Sequence, residues 1–206
     1  MTASPYLVPA APVVWEQEIK KSRFIAFLAH TPDAEAAKAF IERLRDEYPG
    51  AGHHCSAFIA GAPNDSQALG FSDDGEPSGT AGKPMLAVLQ GSGIGEVTAV
   101  VVRYFGGIKL GTGGLVRAYG SSVNGALAEL TTVEKVIEGR LALSADYSDV
   151  ALLENLLSQS GARWAQVDYG AVVSGVLQVD IRLLDDLIRQ IKDRTQGRVI
   201  ARPLTD

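Results

Sequence analysis

The run Val97-Thr98-Ala99-Val100-Val101-Val102-Arg103-Tyr104 limits the fold of this chain more than any other stretch. It is largely β-branched and carries no charge before Arg103. Gly95 precedes it and Gly106 follows. Such a segment reads as a strand covered on both faces, so it needs neighbouring strands and helices packed over the sheet. It leads straight into Gly106 and Gly107, then Gly111, Thr112, Gly113 and Gly114. There Thr112 or Gly113 starts a helix in which Leu115, Tyr119, Val123 and Leu127 recur every four residues. A strand feeding a glycine-rich turn and then a helix exposes main-chain N–H groups at the positive end of the helix, which is an anion-binding corner.

The other elements follow from periodicity and turn chemistry. Residues 1–12, with three prolines, read as an irregular lead-in. Val13 to Lys20 is a strand, and Phe24 to Ala29, apolar throughout, is a second one. Thr31-Pro32-Asp33 opens a helix with Ala36, Phe40, Ile41 and Leu44 on one face, and Pro49-Gly50 closes it. His53 to Ala60 is a strand, Gln67 to Phe71 a short one, and Pro84 to Leu89 a short helix. Thr131 to Glu138 is polar without an apolar face and reads as a domain boundary, separating residues 1–136 from 137–206. The second part alternates simply. A strand through Leu141, Leu143, Ala145 and Tyr147 precedes a helix through Val150, Leu153, Leu156 and Leu157, closed by Gly161. Strands at Trp164–Tyr169 and Val172–Ile181 flank a tight turn. A helix with Leu184, Leu187, Ile188 and Ile191 and a strand at Arg198–Arg202 finish the chain. The fold class expected is α+β in two domains, the second with the βαββαβ order of ferredoxin-like domains.

A net charge of −5 argues against a surface coated for duplex DNA. Charge is nevertheless placed selectively. Between Glu47 and Val133 the only basic residues are Lys83, Arg103, Lys109 and Arg117, and all four lie in two glycine-rich parts, Ser72–Pro84 and Arg103–Tyr119. No stretch approaches the roughly 20 apolar residues of a membrane span, and no basic-then-apolar leader is visible. With Cys55 as the single cysteine, a cytoplasmic protein is expected.

An anion or nucleic-acid phosphate site is expected at Gly106, Gly107, Gly111, Thr112, Gly113 and Gly114, with Lys83, Arg103, Lys109 and Arg117 adding charge. The alternative is that the glycines serve a tight turn and close helix–sheet packing. The loop is neither a Walker A sequence nor a dinucleotide fingerprint, since Val116 stands where the third glycine would be. Asp73, Asp74 and Glu76 have the chemistry to hold Mg²⁺ or move protons, or to pair with Lys83, Arg103 or Arg117. Ser78 and Thr80 either present hydroxyls to the same anion or cap the helix that follows. In His53-His54-Cys55 the side chains alternate between sheet faces, which disfavours a shared zinc and points His54 toward the acidic loop. Tyr104, Phe105 and Tyr119 either stack on unpaired bases or wedge the loop onto the core. Neither a metal nor a cofactor is called for.

The blocks Ser22-Arg23-Phe24-Ile25-Ala26, His54-Cys55, Ser72 to Lys83 and Arg103 to Gly120 resemble the YigZ/IMPACT family, in its bacterial branch. The resemblance spans residues ~15–130, with a bacterial-type C-terminal domain after it. It implies an N-terminal domain with the α/β fold shared by a ribosomal-protein domain, the GHMP kinases and elongation-factor domain IV. It implies a C-terminal domain similar to elongation-factor domain V. The family's eukaryotic members act in translational control, through partners that regulate an initiation-factor kinase, using an extra N-terminal module without a counterpart in this sequence. The expectation is therefore a cytosolic, translation-associated protein that binds RNA or the ribosome through the glycine-rich loop. Two alternatives stand beside it. One is an enzyme acting on a phosphorylated or acidic small molecule. The other is a protein-interaction module using the sheet of the second domain. Nothing in the pattern fixes an oligomeric state.

Overall fold

A computed structural model describes residues 4–204, so the first three residues of the predicted lead-in and the last two of the second predicted domain lie outside it. The chain separates into two compact units, Tyr6–Lys135 and a second that takes residues 136 onward, with residues 4 and 5 grouped to it.

In the first unit the strands are β1 (Tyr6–Pro9), β2 (Val13–Ile19), β3 (Ser22–His30), β4 (His53–Ile59), β5 (Leu69–Ser72), β6 (Val97–Tyr104) and β7 (Thr132–Lys135). The helices are α1 (Ala34–Glu47), α2 (Gly82–Ser92) and α3 (Thr112–Glu129). Five strands form an antiparallel sheet in the order β2-β3-β6-β4-β5. The apolar run of β6 sits at its centre, buried along nearly its whole length. Its side chains alternate between two layers. Val97, Ala99 and Val101 join Phe24, Cys55, Met85, Leu115 and Tyr119 beneath α2 and α3. Val100 and Val102 pack with Phe40 and Leu44 of α1 on the opposite face. Parity therefore sends Arg103 toward α2 and α3, and pairing places it between Phe24 of β3 and His53 of β4.

The lead-in is not wholly irregular. β1 pairs antiparallel with β7, Tyr6 opposite Lys135, so part of the polar 131–138 stretch is a strand as well. Glu96, at φ 49, ties these pieces together. Its buried carboxylate accepts from Tyr6 Oη at 2.9 Å, meets His30 Nε2 at 2.7 Å and pairs with Lys135.

The second unit runs β8 (Glu138–Ala145), α4 (Tyr147–Ser160), β9 (Arg163–Tyr169), β10 (Val173–Asp180), a 3-10 turn, α5 (Leu184–Arg194) and β11 (Arg202–Leu204). Its sheet is antiparallel in the order β11-β8-β10-β9. Leu141, Leu153, Leu156, Leu177, Leu187 and Ile191 form its core. The last strand is displaced from the predicted Arg198–Arg202. Arg198 instead makes a two-armed pair with the buried Asp149 of α4, at 3.1 and 2.7 Å, and the Val199 N–H donates to Thr195 Oγ1. Those contacts hold 198–199 out of the sheet. The whole is an α+β protein, and no helix among the described residues is long and apolar enough to cross a membrane.

Candidate functional site

The end of β6 and the start of α3 meet the Glu76-Pro77 turn around one cleft of about 360 Å³. Its walls are Glu76, Pro77, Arg103, Phe105, Lys109, Leu110, Gly111, Thr112 and Leu115. The two glycine-rich parts, distant in sequence, thus share a cavity.

α3 begins without a capping side chain. Gly111 adopts φ 77 and ψ 165, a conformation open essentially to glycine alone. The first helical bond runs from the Leu115 N–H to the Gly111 carbonyl. The N–H groups of Thr112, Gly113 and Gly114 precede it and have no hydrogen-bond partner among the described residues. Lys109 lines the cleft beside them, and the Arg117 guanidinium folds back over Gly113, 3.8 Å from where a Cβ would stand. The start of α2 is different. There Asp73 accepts from the N–H groups of Gly79, Ala81 and Gly82 at 2.8, 3.0 and 2.8 Å. Burial pushes its carboxyl up, but the three N–H groups outweigh burial and hold it below the ordinary range. The anion corner of α2 is therefore filled by the chain's own carboxylate, while that of α3 is open.

The floor of the cleft is a buried ion pair. Arg103 Nη1 donates to Glu76 Oε1 at 2.6 Å, and Tyr119 Oη donates to the same oxygen at 2.6 Å. Tyr119 is wholly buried and meets Phe24 edge-on. The Arg103 guanidinium lies over the rings of Phe24 and Phe105, at 5.4 and 5.6 Å. Its Nη2 reaches Ser22 Oγ at 3.3 Å, and that oxygen also accepts from the Gly106 N–H. Burial pushes the Tyr119 phenol far up and the Cys55 thiol up to about 12, so both are neutral. Cys55 donates to the Asp73 carbonyl at 3.0 Å.

Several predicted residues lie elsewhere than the anion reading places them. Arg103 is buried and its charge is taken by Glu76, so it is not a free cation. Lys83 is exposed on α2 and does not line the cleft. Tyr119 is too deep to stack on a base, and Tyr104 packs toward the α1 layer. The three acids diverge instead of converging on a metal. Asp73 turns to α2, and Glu76 turns inward. Asp74 takes Arg45 at 3.0 Å and the His54 N–H at 2.6 Å. Among the described residues no three His, Cys, Asp or Glu side chains are grouped to hold a metal ion. His54 does face the acidic loop, with Nδ1 3.8 Å from Asp74 Oδ2 and Nε2 on the Tyr48 carbonyl, while His53 meets the Asp74 carbonyl through Nδ1. Thr80 donates to the Pro77 carbonyl, and Ser78 is exposed. Gly106 serves close packing. A methyl on it would lie 2.0 Å from the Lys21 carbonyl carbon. Gly107, at φ 85, is open to solvent.

Phe105, 58% exposed, is the aromatic that lines the cleft from the surface. Lys20-Lys21, outside the predicted set, forms the β2–β3 turn and abuts Gly106. The adjacent basic pair is visible in sequence, but only the pairing of β3 with β6, Arg23 opposite Tyr104, brings it there.

Comparison with known proteins matches the Impact N-terminal domain to residues 20–127 and a domain of unknown function, DUF1949, to residues 143–198. The chain is 61% identical to the IMPACT family member YigZ of Escherichia coli K12, over 82% of each chain. It is 38% identical to the IMPACT family member YvyE of Bacillus subtilis, over 87% of this chain and 82% of that one. A crystal structure described as that of a hypothetical protein matches at 51% identity with a TM-score of 0.74, covering 99% of both chains.

Proposed function

Because this chain belongs to the IMPACT family, we propose that it is a translation-associated protein that takes single-stranded RNA, free or on the ribosome, into the cleft at the start of α3. One observation carries the reading. The uncapped N-terminus of α3, with three N–H groups unpartnered among the described residues, opens on the same cleft as Lys109 and the exposed ring of Phe105. A phosphate at those N–H groups gains the helix dipole and the charges of Lys109 and Arg117. A base next to that phosphate stacks on Phe105, whose ring is already backed by the Arg103 guanidinium. The exposed Lys20-Lys21 turn, whose Lys21 backbone abuts Gly106, offers further positive charge near the loop in this reading.

The wider resemblance supports the same role. The second unit has βαββαβ order and the sheet order β11-β8-β10-β9, in keeping with a ferredoxin-like domain similar to elongation-factor domain V. In this reading it is a second docking domain, and the protein works in the cytoplasm. The enzyme alternative loses support at Asp73 and Asp74, which are engaged in holding the loop.

Fluorescence anisotropy with a labelled single-stranded oligoribonucleotide tests the proposal. Lys109→Ala and Arg117→Ala should each weaken binding about fivefold and lower the salt slope by about 0.7 for each phosphate that the variant leaves unneutralised. Phe105→Ala should cost about 1–3 kcal/mol of affinity. Absence of binding, or variants that bind like the parent, would overturn it.

A further inference from the structure

Glu76 is the one carboxylate among the residues that line the cleft, and the floor ion pair is incomplete on both sides. Glu76 Oε1 is saturated by Arg103 and Tyr119. Glu76 Oε2 has no hydrogen bond among the described residues, and His53 Nε2, at 3.8 Å, is too far to give one. Arg103 Nε is buried without a partner among the described residues, on a side chain only 6% exposed. A buried charged group rarely leaves a valence empty, and the unmet oxygen of Glu76, a residue that lines the cleft with its side chain only 4% exposed, marks a place where something binds. A guest must therefore offer two things: an anion for the N–H groups of residues 112–114 and a hydroxyl donor for Glu76 Oε2; Arg103 Nε, enclosed and without accessible surface, lies out of a guest's reach. A phosphodiester group alone fails the last requirement, because it carries no hydroxyl to donate. A ribose phosphate satisfies both, since its hydroxyl is a short covalent step from its phosphate oxygens.

We propose that the cleft selects a ribonucleotide unit, with the ribose hydroxyl donating to Glu76 Oε2 while the phosphate sits on the first turn of α3. This rests on the reading of the cleft as a nucleic-acid site and adds to it a discrimination between sugars. An internal nucleotide of RNA has one free hydroxyl, the 2′-OH, and an internal nucleotide of DNA has none. DNA bound in the same place would leave Glu76 Oε2 facing no donor, and rejection of a ligand that lacks an expected hydroxyl is strong where the protein group is buried.

The test uses the full chain and oligonucleotides of one sequence carrying 2′-hydroxyl, 2′-deoxy or 2′-fluoro sugars. The fluoro sugar keeps the pucker of RNA and removes the donor. A free ribonucleoside monophosphate and its 2′-deoxy form are run as competitors. The expected result is about tenfold or greater preference for the hydroxyl form over both others, equivalent to about 1.4 kcal/mol. In Glu76→Gln, checked for fold by circular dichroism, the preference should shrink toward one. If that variant does not fold, the sugar series on the parent chain still decides. Equal binding of all three oligonucleotides overturns the sugar selection while leaving RNA binding in place. A preference confined to the monophosphates keeps the ribose pocket, assigns it to free nucleotides and removes the RNA reading. No binding by any ligand overturns both.

Discussion

Replacing Glu76 by Gln on the floor of the cleft keeps the shape of the side chain and removes the charge opposite Arg103. The two side chains are 4% and 6% exposed and 2.6 Å apart, so solvent screening gives little relief. Breaking a buried pair by neutralising one partner costs roughly 3–5 kcal/mol, mostly because the remaining charge is stranded. The glutamine oxygen still accepts from Tyr119, and Arg103 keeps its contacts with Phe24 and Phe105. These place the expected loss at the lower end, about 3 kcal/mol. Arg103→Met strands Glu76 in turn, whereas the double substitution leaves no charge behind. The double variant should therefore lose much less than the sum of the singles, with a coupling of about 2–3 kcal/mol. Urea unfolding followed by Trp15 fluorescence, in a Trp164→Phe background, measures the first unit alone, because Trp15 lies on β2 against Gly125 of α3 and Trp164 lies in the other unit. A single-variant loss below about 1 kcal/mol, or additive losses, would refute the claim that this pair is desolvated and holds the loop.

Two further outcomes follow from the same region and its neighbours. Cys55, buried and with its thiol pushed up to about 12, should resist iodoacetamide at pH 8 in the native chain and react promptly in denaturing urea; prompt native alkylation would contradict its placement. Glu96 is buried, which raises its pKa, but Lys135, His30 and Tyr6 outweigh burial and hold it below the ordinary 4.5, as the N–H groups hold Asp73 below 3.8. Folded values below unfolded ones give stability that is complete above the ordinary values and lost as pH falls through the folded ones. The urea midpoint of the first unit should thus hold steady above pH 4.5 and decline below it. A midpoint that climbs on acidification would count against both contacts.

What is legible in the sequence is local. The bounds of β6 follow from an unbroken β-branched run between glycines, and α1 from its Asp33 cap, whose Oδ1 accepts from the Ala36 N–H at 2.8 Å. The two-domain α+β character and the family follow from patterns and motif blocks. The pairing of β1 with β7 is hidden because its partners, Tyr6 and Lys135, stand at opposite ends of the unit and neither strand has an alternating apolar face. The fate of the charges is hidden for the same reason. In the sequence Arg103 stands open between a free cation and a partner of the acidic loop; with β6 aligned to β3 and β4 it falls between Phe24 and His53 and pairs with Glu76. Tyr119 falls on the apolar stripe of α3 in the sequence, but that its hydroxyl meets the same carboxylate is seen only in the fold.

That reassignment bears on why an acidic chain can present an anion site at all. Three acids within four residues, Asp73, Asp74 and Glu76, would repel a phosphate from the cleft if their charges faced it. Each is instead neutralised by contacts of its own. Asp73 is ringed by three N–H groups, Asp74 by Arg45 and the His54 N–H, and Glu76 by Arg103 and Tyr119. Arg103 is consumed in the process, which removes it from the set that binds and makes it the residue that silences the nearest carboxylate. The field at the start of α3 is then set by Lys109 and Arg117, together with the open helix end. The whole chain's net charge of −5 acts on this site only through charges within about one Debye length at physiological salt.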